Sequence, residues 1–286
     1  MQHVYHKFVT EQARLLKEGV SPRAPRPTPA AGRQPPPDGA PTVLVFAPHP
    51  DDECITGALP LRLLRELRMR VVDVAVTLGS RKDRRQARWE ELQQACNFIG
   101  FETLLPTPGG LEKINLNQRQ QNPDAWRKAV RIMTDILLQQ QPHIVFFPHA
   151  GDANSTHSGV NALMTDALAK TGKDFCCWVC ESEFWAPMSH PNLMIETSVA
   201  DTADLVAALA QHTGEVKRNP YHLRLPAWMI DNVRRGGELV GGQGGEPPPF
   251  IFATLYRLSK WVHGRLEDGA SGKMVSANDS LKHLFG

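Results

Sequence analysis

The chain alternates between two hydrophobic rhythms. Continuous apolar runs rich in Val, Ile and Phe occupy residues 42–47, 71–78, 143–148, 176–180 and 193–197. Between several of them lie segments whose apolar positions fall three and four apart, roughly 53–69, 84–99, 124–140 and 157–171. The first rhythm predicts strands buried on both faces and the second predicts amphipathic helices. Strands alternating with helices predict an α/β chain with a mostly parallel sheet, because parallel neighbours need crossovers and the crossover helices bury their apolar stripes on both faces of the sheet. Ligands in such sheets bind beyond the carboxyl ends of the strands, so the loops that follow strands are where chemistry is expected.

At both ends the rhythm changes. In residues 1–20, Val4, Phe8, Leu15 and Leu16 fall at approximately helical spacing, which predicts one amphipathic helix docking on the body. The stretch "SPRAPRPTPAAGRQPPPDGAP" that follows is proline-rich, with few backbone donors and little to pack, and predicts a linker or surface arm. Residues after about 263 read as a polar tail. The expected organisation is therefore a helix and proline-rich arm over 1–40, one α/β domain over 41–263 and a tail over 264–286.

Composition narrows the function classes. The 286 residues carry 32 basic and 30 acidic side chains, a formal net charge of +2, so nothing global draws the chain to nucleic acid or a membrane surface. No run approaches the roughly 20 apolar residues of a spanning helix, and the N-terminus lacks an apolar signal core, which points to a cytoplasmic protein. The five cysteines form no regular framework. "CCWVC" holds one CxxC, but it lies in an apolar run without a second pair, and buried free thiols are expected there.

The first strand ends in "FAPHPDDE", residues 46–53. His49 and Asp52 lie three apart where strand turns into helix, a spacing that lets an imidazole and a carboxylate converge on one ion, and both are ordinary zinc ligands. Asp51 lies between them and is free to take a proton from a bound water. Acids here also suit the first turn of a helix, where the macrodipole favours them. Capping explains one or two acids but not a histidine framed by Pro48 and Pro50. An open zinc site needs a third protein ligand, and the loop after the fourth run, "HAGDANSTHSGV", offers His149, Asp152, Asn154 and His157. His143 lies at the opposite end of that strand and is read as structural.

The "PHPDDE" loop, the later His-bearing loop and "RWEELQQACNFIG" between them resemble the zinc-dependent de-N-acetylases of the PIG-L or LmbE-like family, over about residues 42–260. The resemblance implies a Rossmann-like three-layer α/β sandwich. It implies zinc held by His49, Asp52 and His157, with Asp51 as general base. The family's second motif reads close to His-Pro-Asp-His; here "NSTH" puts Asn154 in place of its first histidine and Thr156 in place of its aspartate. Asn154 can donate to an oxyanion but cannot supply a proton, so the acid role falls to His149, His212 or His222, or is weakened. Arg88 and Glu91 match an arginine and glutamate of the family's second helix, which makes Arg88 a candidate substrate contact, with Asp152 as another. Relatives carry a sugar-binding aspartate after the third strand, whereas "LLPTPGGLEKIN" has none.

The expected activity is metal-dependent hydrolysis of an N-acetylated amino sugar of the N-acetylglucosamine type, releasing acetate and a free amine. "SRKDRRQAR" adds charge that suits an anionic substrate. The glycines of "GGQGG" do not lead from a strand into a helix and are not a nucleotide fingerprint. Trp185 is a candidate platform for a sugar ring. The donor set also suits Fe(II), Co(II) or Mn(II). Self-association is compatible with the sequence. Two rivals are a non-catalytic sugar-binding relative and a metal hydrolase for another N-acyl group.

Overall fold

In a computed structural model, residues 3–18, 35–269 and 272–285 are described. The chain opens with helix α1 (Tyr5–Glu18), and strand β1 (Thr42–Ala47) then leads through the acidic loop into α2 (Asp52–Thr56) and α3 (Ala58–Leu67). Strand β2 (Arg70–Ala75), α4 (Arg85–Ile99) and the short β3 (Glu102–Leu104) follow, then α5 (Leu116–Gln121), α6 (Pro123–Gln140), β4 (Ile144–Pro148) and α7 (Ser155–Leu168). Strands β5 (Cys177–Ser182) and β6 (Leu193–Thr197) precede α8 (Val199–Leu209), α9 (Thr213–Arg218) and α10 (Leu225–Gly241). Three strands close the chain: β7 (Phe252–Val262), β8 (Arg265–Asp268) and β9 (Lys273–Val275).

The sheet runs β3-β2-β1-β4-β5-β7-β6-β9, with β8 paired to β7. From β3 to β5 every pairing is parallel, while β7 runs antiparallel to both β5 and β6. Strand β1 shows how the core divides: Val43 and Val45 face one helical layer with Leu59, Leu92 and Leu205, and Leu44 and Phe46 face the other with Met133, Leu137 and Leu163. Side chains alternate along a strand, so a continuous apolar run feeds both layers at once. The result is an α/β sandwich with a mostly parallel sheet, as the two rhythms predicted.

Several expectations need correction. Helix α1 forms, but none of its residues is buried, and Val4, Phe8, Leu15 and Leu16 all stand exposed. Among the described residues, the docking expected of it is not seen. Most of the proline-rich arm lies outside the described residues. The polar tail of 264–286 is part of the fold instead: β9 pairs with β6, β8 pairs with β7, and Leu281, Leu284 and Phe285 are buried in the core. Its apolar positions are too few and too widely spaced to show a period. The long helical segment 53–69 breaks at Gly57, where a Cβ would stand 2.5 Å from a Leu205 methyl. All five cysteines are free, and all but Cys176 are buried. Among the described residues no helix is long and apolar enough to cross a membrane.

Candidate metal centre

The loops after β1 and β4 leave the same edge of the sheet, because those strands are parallel neighbours. Pro48, at the turn, is held from β2's side by the Thr77 hydroxyl and backbone N–H, both donating to its carbonyl. The chain then folds back so that Asp52 Oδ2 accepts from the His49 backbone N–H at 3.0 Å. The second loop is fixed by Asn161, whose amide donates to Pro148 O and to Glu181 Oε1. Helix α7 starts at Asn154, whose side-chain oxygen caps Thr156 N–H at 2.8 Å. It packs so closely on residues 114–115 that a Cβ at Gly159 would stand 2.4 Å from Ile114 O.

These constraints bring His49, Asp52 and His157 together, with one potential ligand atom from each lying within 4.8 Å of the others. Asp52 Oδ2 is 3.1 Å from His157 Nε2 and 3.5 Å from His49 Nδ1. Burial alone would raise the Asp52 carboxyl, but the two imidazoles outweigh it and hold it well below the carboxylate range. His157 is fully buried, yet neither of its ring nitrogens makes a directed hydrogen bond. An orphaned imidazole is costly inside a protein. Two imidazoles, one carboxylate and that orphaned pair fit a zinc-type ion, which would satisfy Nε2.

Asp51 occupies left-handed backbone, φ 114°, which is strained for a residue with a side chain. Three groups hold it there. Glu53 Oε2 accepts from its N–H at 2.8 Å, the Tyr221 hydroxyl donates to its Oδ2, and Arg88 Nη2 lies 3.6 Å from the same oxygen. Burial and the adjacent Asp52 push its carboxyl up to about 6. Beneath the loop, Asp73 on β2 is fully buried with neither oxygen partnered, and burial together with Glu53 and Asp52 raises it well above the carboxylate range.

The two candidate substrate contacts, Asp152 and Arg88, both engage groups of the site loops. Asp152 is turned inward: Oδ1 accepts from Asn154 N–H and sits 3.6 Å from His157 Nδ1, and Oδ2 accepts from Trp185 N–H. Its side chain is fully buried behind His157, a candidate ligand. Arg88 donates to Pro50 O at 2.8 Å and so braces the acidic loop from behind. Asn154 and His49, by contrast, both line a cavity of about 570 Å³, with Lys82, Arg85 and Lys113 also in its walls. His149 is buried against Ala186 O, and His212 is buried against Glu53, so neither is exposed as a proton donor. Trp185 is 55% exposed. Tyr221 was missed by sequence reasoning, since it lies 170 positions from Asp51 and no local pattern links the two.

The segment spanning these loops matches the family described as PIG-L: GlcNAc-PI de-N-acetylase, over residues 44–168. The matched segment runs from β1 through α7 and so contains all three candidate ligands. Solved structures share the fold well beyond it. N,N'-diacetylchitobiose deacetylase from Pyrococcus horikoshii is 15% identical, with 92% of this chain and 94% of that chain covered at a TM-score of 0.57. GalB, the 4-carboxy-2-hydroxymuconate hydratase from Pseudomonas putida, is 16% identical over 76% and 95%, TM-score 0.56. The zinc-inhibited form of teicoplanin deacetylase Orf2 is 14% identical over 80% and 100%, TM-score 0.51. At such identities the likeness speaks for the fold. No curated protein matches the sequence significantly.

Proposed function

We propose that this protein is a metal-dependent de-N-acetylase acting on an N-acetylated amino sugar or its conjugate. The observation that carries the reading is the His49–Asp52–His157 donor set, with Asp52 and His157 buried and His49 partly exposed, and the Asp51 carboxylate on the same loop, inside the segment that matches a de-N-acetylase family. The three side chains would hold zinc. Zinc there supplies Lewis acidity, which makes water a nucleophile at neutral pH and polarises an acyl carbonyl.

The chain's own groups do the rest. Asp51, with its carboxyl raised to about 6, is ionised at neutral pH and near enough to it to take a proton from water and return it to the departing amine. One group serving as base and then acid removes the need for a histidine where Asn154 stands. The Asn154 oxygen is engaged in capping Thr156, which orients its NH2 as the donor to an oxyanion, the kind of contact worth ~3 kcal/mol in hydrolases. The cavity walls supply Lys82, Arg85 and Lys113 against Glu112, which suits a substrate carrying negative charge.

The test is elemental analysis of wild type, Asp52→Ala and His157→Ala, with acetate release from N-acetylglucosamine conjugates on the same preparations. About one zinc per chain and acetate release in wild type, both lost in the variants, support the reading. Zinc without acetate favours a second reading, a metal-dependent reaction on another acyl group or an addition of water. Asn154 motivates that alternative, because it stands where the family resemblance implies a histidine.

A further inference from the structure

We propose that His212 is a positioning residue for the base, acting through Glu53 on the backbone of Asp51. The inference rests on Asp51 being the base of the proposed hydrolysis. Glu53 is fully buried, and its carboxylate joins two parts of the chain. Oε2 accepts from the Asp51 N–H at 2.8 Å, and Oε1 faces His212 Nε2 at 2.8 Å and accepts from Cys54 Sγ at 3.0 Å. A carboxylate only accepts, so the proton shared with His212 sits on Nε2. Asp51 at φ 114° does not hold that conformation by its own preference, and the bond from Glu53 is what fixes its N–H.

His212 is itself placed firmly. It sits at the turn between α8 and α9 and is fully buried. Glu91 of α4 accepts from Thr213 Oγ1 and Gly214 N–H, which clamps the residues that follow it. Arg84 packs over the same turn, where a Cβ at Gly214 would stand 1.7 Å from its Nη2. The turn continues toward Tyr221, which reaches the Asp51 carboxylate directly. One segment, residues 212–221, therefore sets both the backbone and the carboxylate of Asp51, and neither His212 nor Tyr221 belongs to the His49–Asp52–His157 donor set. Without His212, Glu53 loses its principal partner in a buried site and turns to find another, which releases the Asp51 N–H. The base then relaxes to an unstrained backbone with its carboxylate displaced, while His49, Asp52 and His157 keep their own supports.

The experiment measures kcat, KM and metal content for His212→Leu, His212→Gln and Glu53→Gln, each made also on an Asp51→Asn background. Gln places its amide nitrogen near the position of Nε2 and restores the donor. The expected result is metal content as in wild type, kcat about a hundredfold lower in His212→Leu with KM unchanged, and most of the loss recovered in His212→Gln. On Asp51→Asn the same change costs less than about twofold, because two residues acting on one group are not additive. Should His212→Leu fail to fold, Glu53→Gln carries the same expectation. Equal losses on both backgrounds, a rise in KM alone, or loss of metal overturns the proposal. If wild type hydrolyses no amide, the function reading fails by itself, and the crystal structure of the variant decides this one: Asp51 leaving positive φ supports it, and Asp51 unmoved overturns it.

Discussion

Tyr221 donates its hydroxyl to Asp51 Oδ2, joining the acidic loop after the first strand to a 3-10 turn 170 residues later in the chain. The bond fixes one carboxylate oxygen of the proposed base. Tyr221→Phe removes the donor and keeps the ring. A hydrogen bond to a charged group contributes about 1.5–3 kcal/mol, so kcat is expected to fall at least about tenfold with KM and metal content little changed. Steady-state kinetics and elemental analysis on one preparation check this. A variant with unaltered kcat would place the tyrosine outside the chemistry.

Asp152 gives the second prediction. It faces His157 Nδ1 at 3.6 Å while holding the backbone of Trp185, so it sets the orientation of a candidate ligand and the position of the neighbouring loop together. Groups behind a ligating histidine typically cost 10- to 100-fold in metal affinity when changed. Asp152→Asn is expected to weaken metal binding by about that factor, measured by competition with a chromogenic chelator. An affinity equal to that of wild type would show that Asp152 serves only the loop.

The fate of Asp152 marks where sequence reading stopped. Periodicity located β1, β2, β4, β5 and β6 and several of the helices between them because each buries a regular stripe; the local His49–Asp52 spacing was legible too, while the loop after β4 offered four candidates, of which the family resemblance singled out His157. Which way Asp152 turns depends on Trp185 N–H, 33 residues away, and no spacing encodes that. The same holds for Arg88, whose partner is a carbonyl 38 residues earlier. Strand β7 was also unassigned: it is antiparallel and reaches the sheet only after three helices that sequence reading left unplaced.

Glu181 carries a pH dependence. Burial pushes its carboxyl above the ordinary value of 4.5, against the hydrogen bond from Asn161, Arg257 and His149 that pull it down. The folded state therefore holds this proton more tightly than the unfolded state does. Stability is fully present below the unfolded value and falls as pH rises through the range between the ordinary and the raised value. Glu181→Gln mimics the protonated acid and can still accept from Asn161. Its melting temperature relative to wild type is expected to rise between pH 4 and pH 8, with the gain confined to the upper part of that range. A constant difference across pH would mean the carboxyl is not raised.

The last prediction tests the C-terminal segment, which looked like a tail and proved to be core. Leu281, Leu284 and Phe285 are each at most 7% exposed, and Phe285 O accepts from the Trp178 indole at 2.7 Å with the two rings packed edge to face. Burying a large apolar side chain contributes about 1.5–3 kcal/mol, so ending the chain after Ser280 removes roughly 5–8 kcal/mol, comparable with the whole stability of many domains. It also leaves the indole N–H without its acceptor. The truncated chain is expected to be insoluble or to melt far below the full chain, and Phe285→Ala alone to cost about 3–5 kcal/mol by denaturant titration. Substituting Glu267 in exposed β8 should change stability by less than about 0.5 kcal/mol. Equal, small effects at Phe285 and Glu267 would return the segment to the status of a tail.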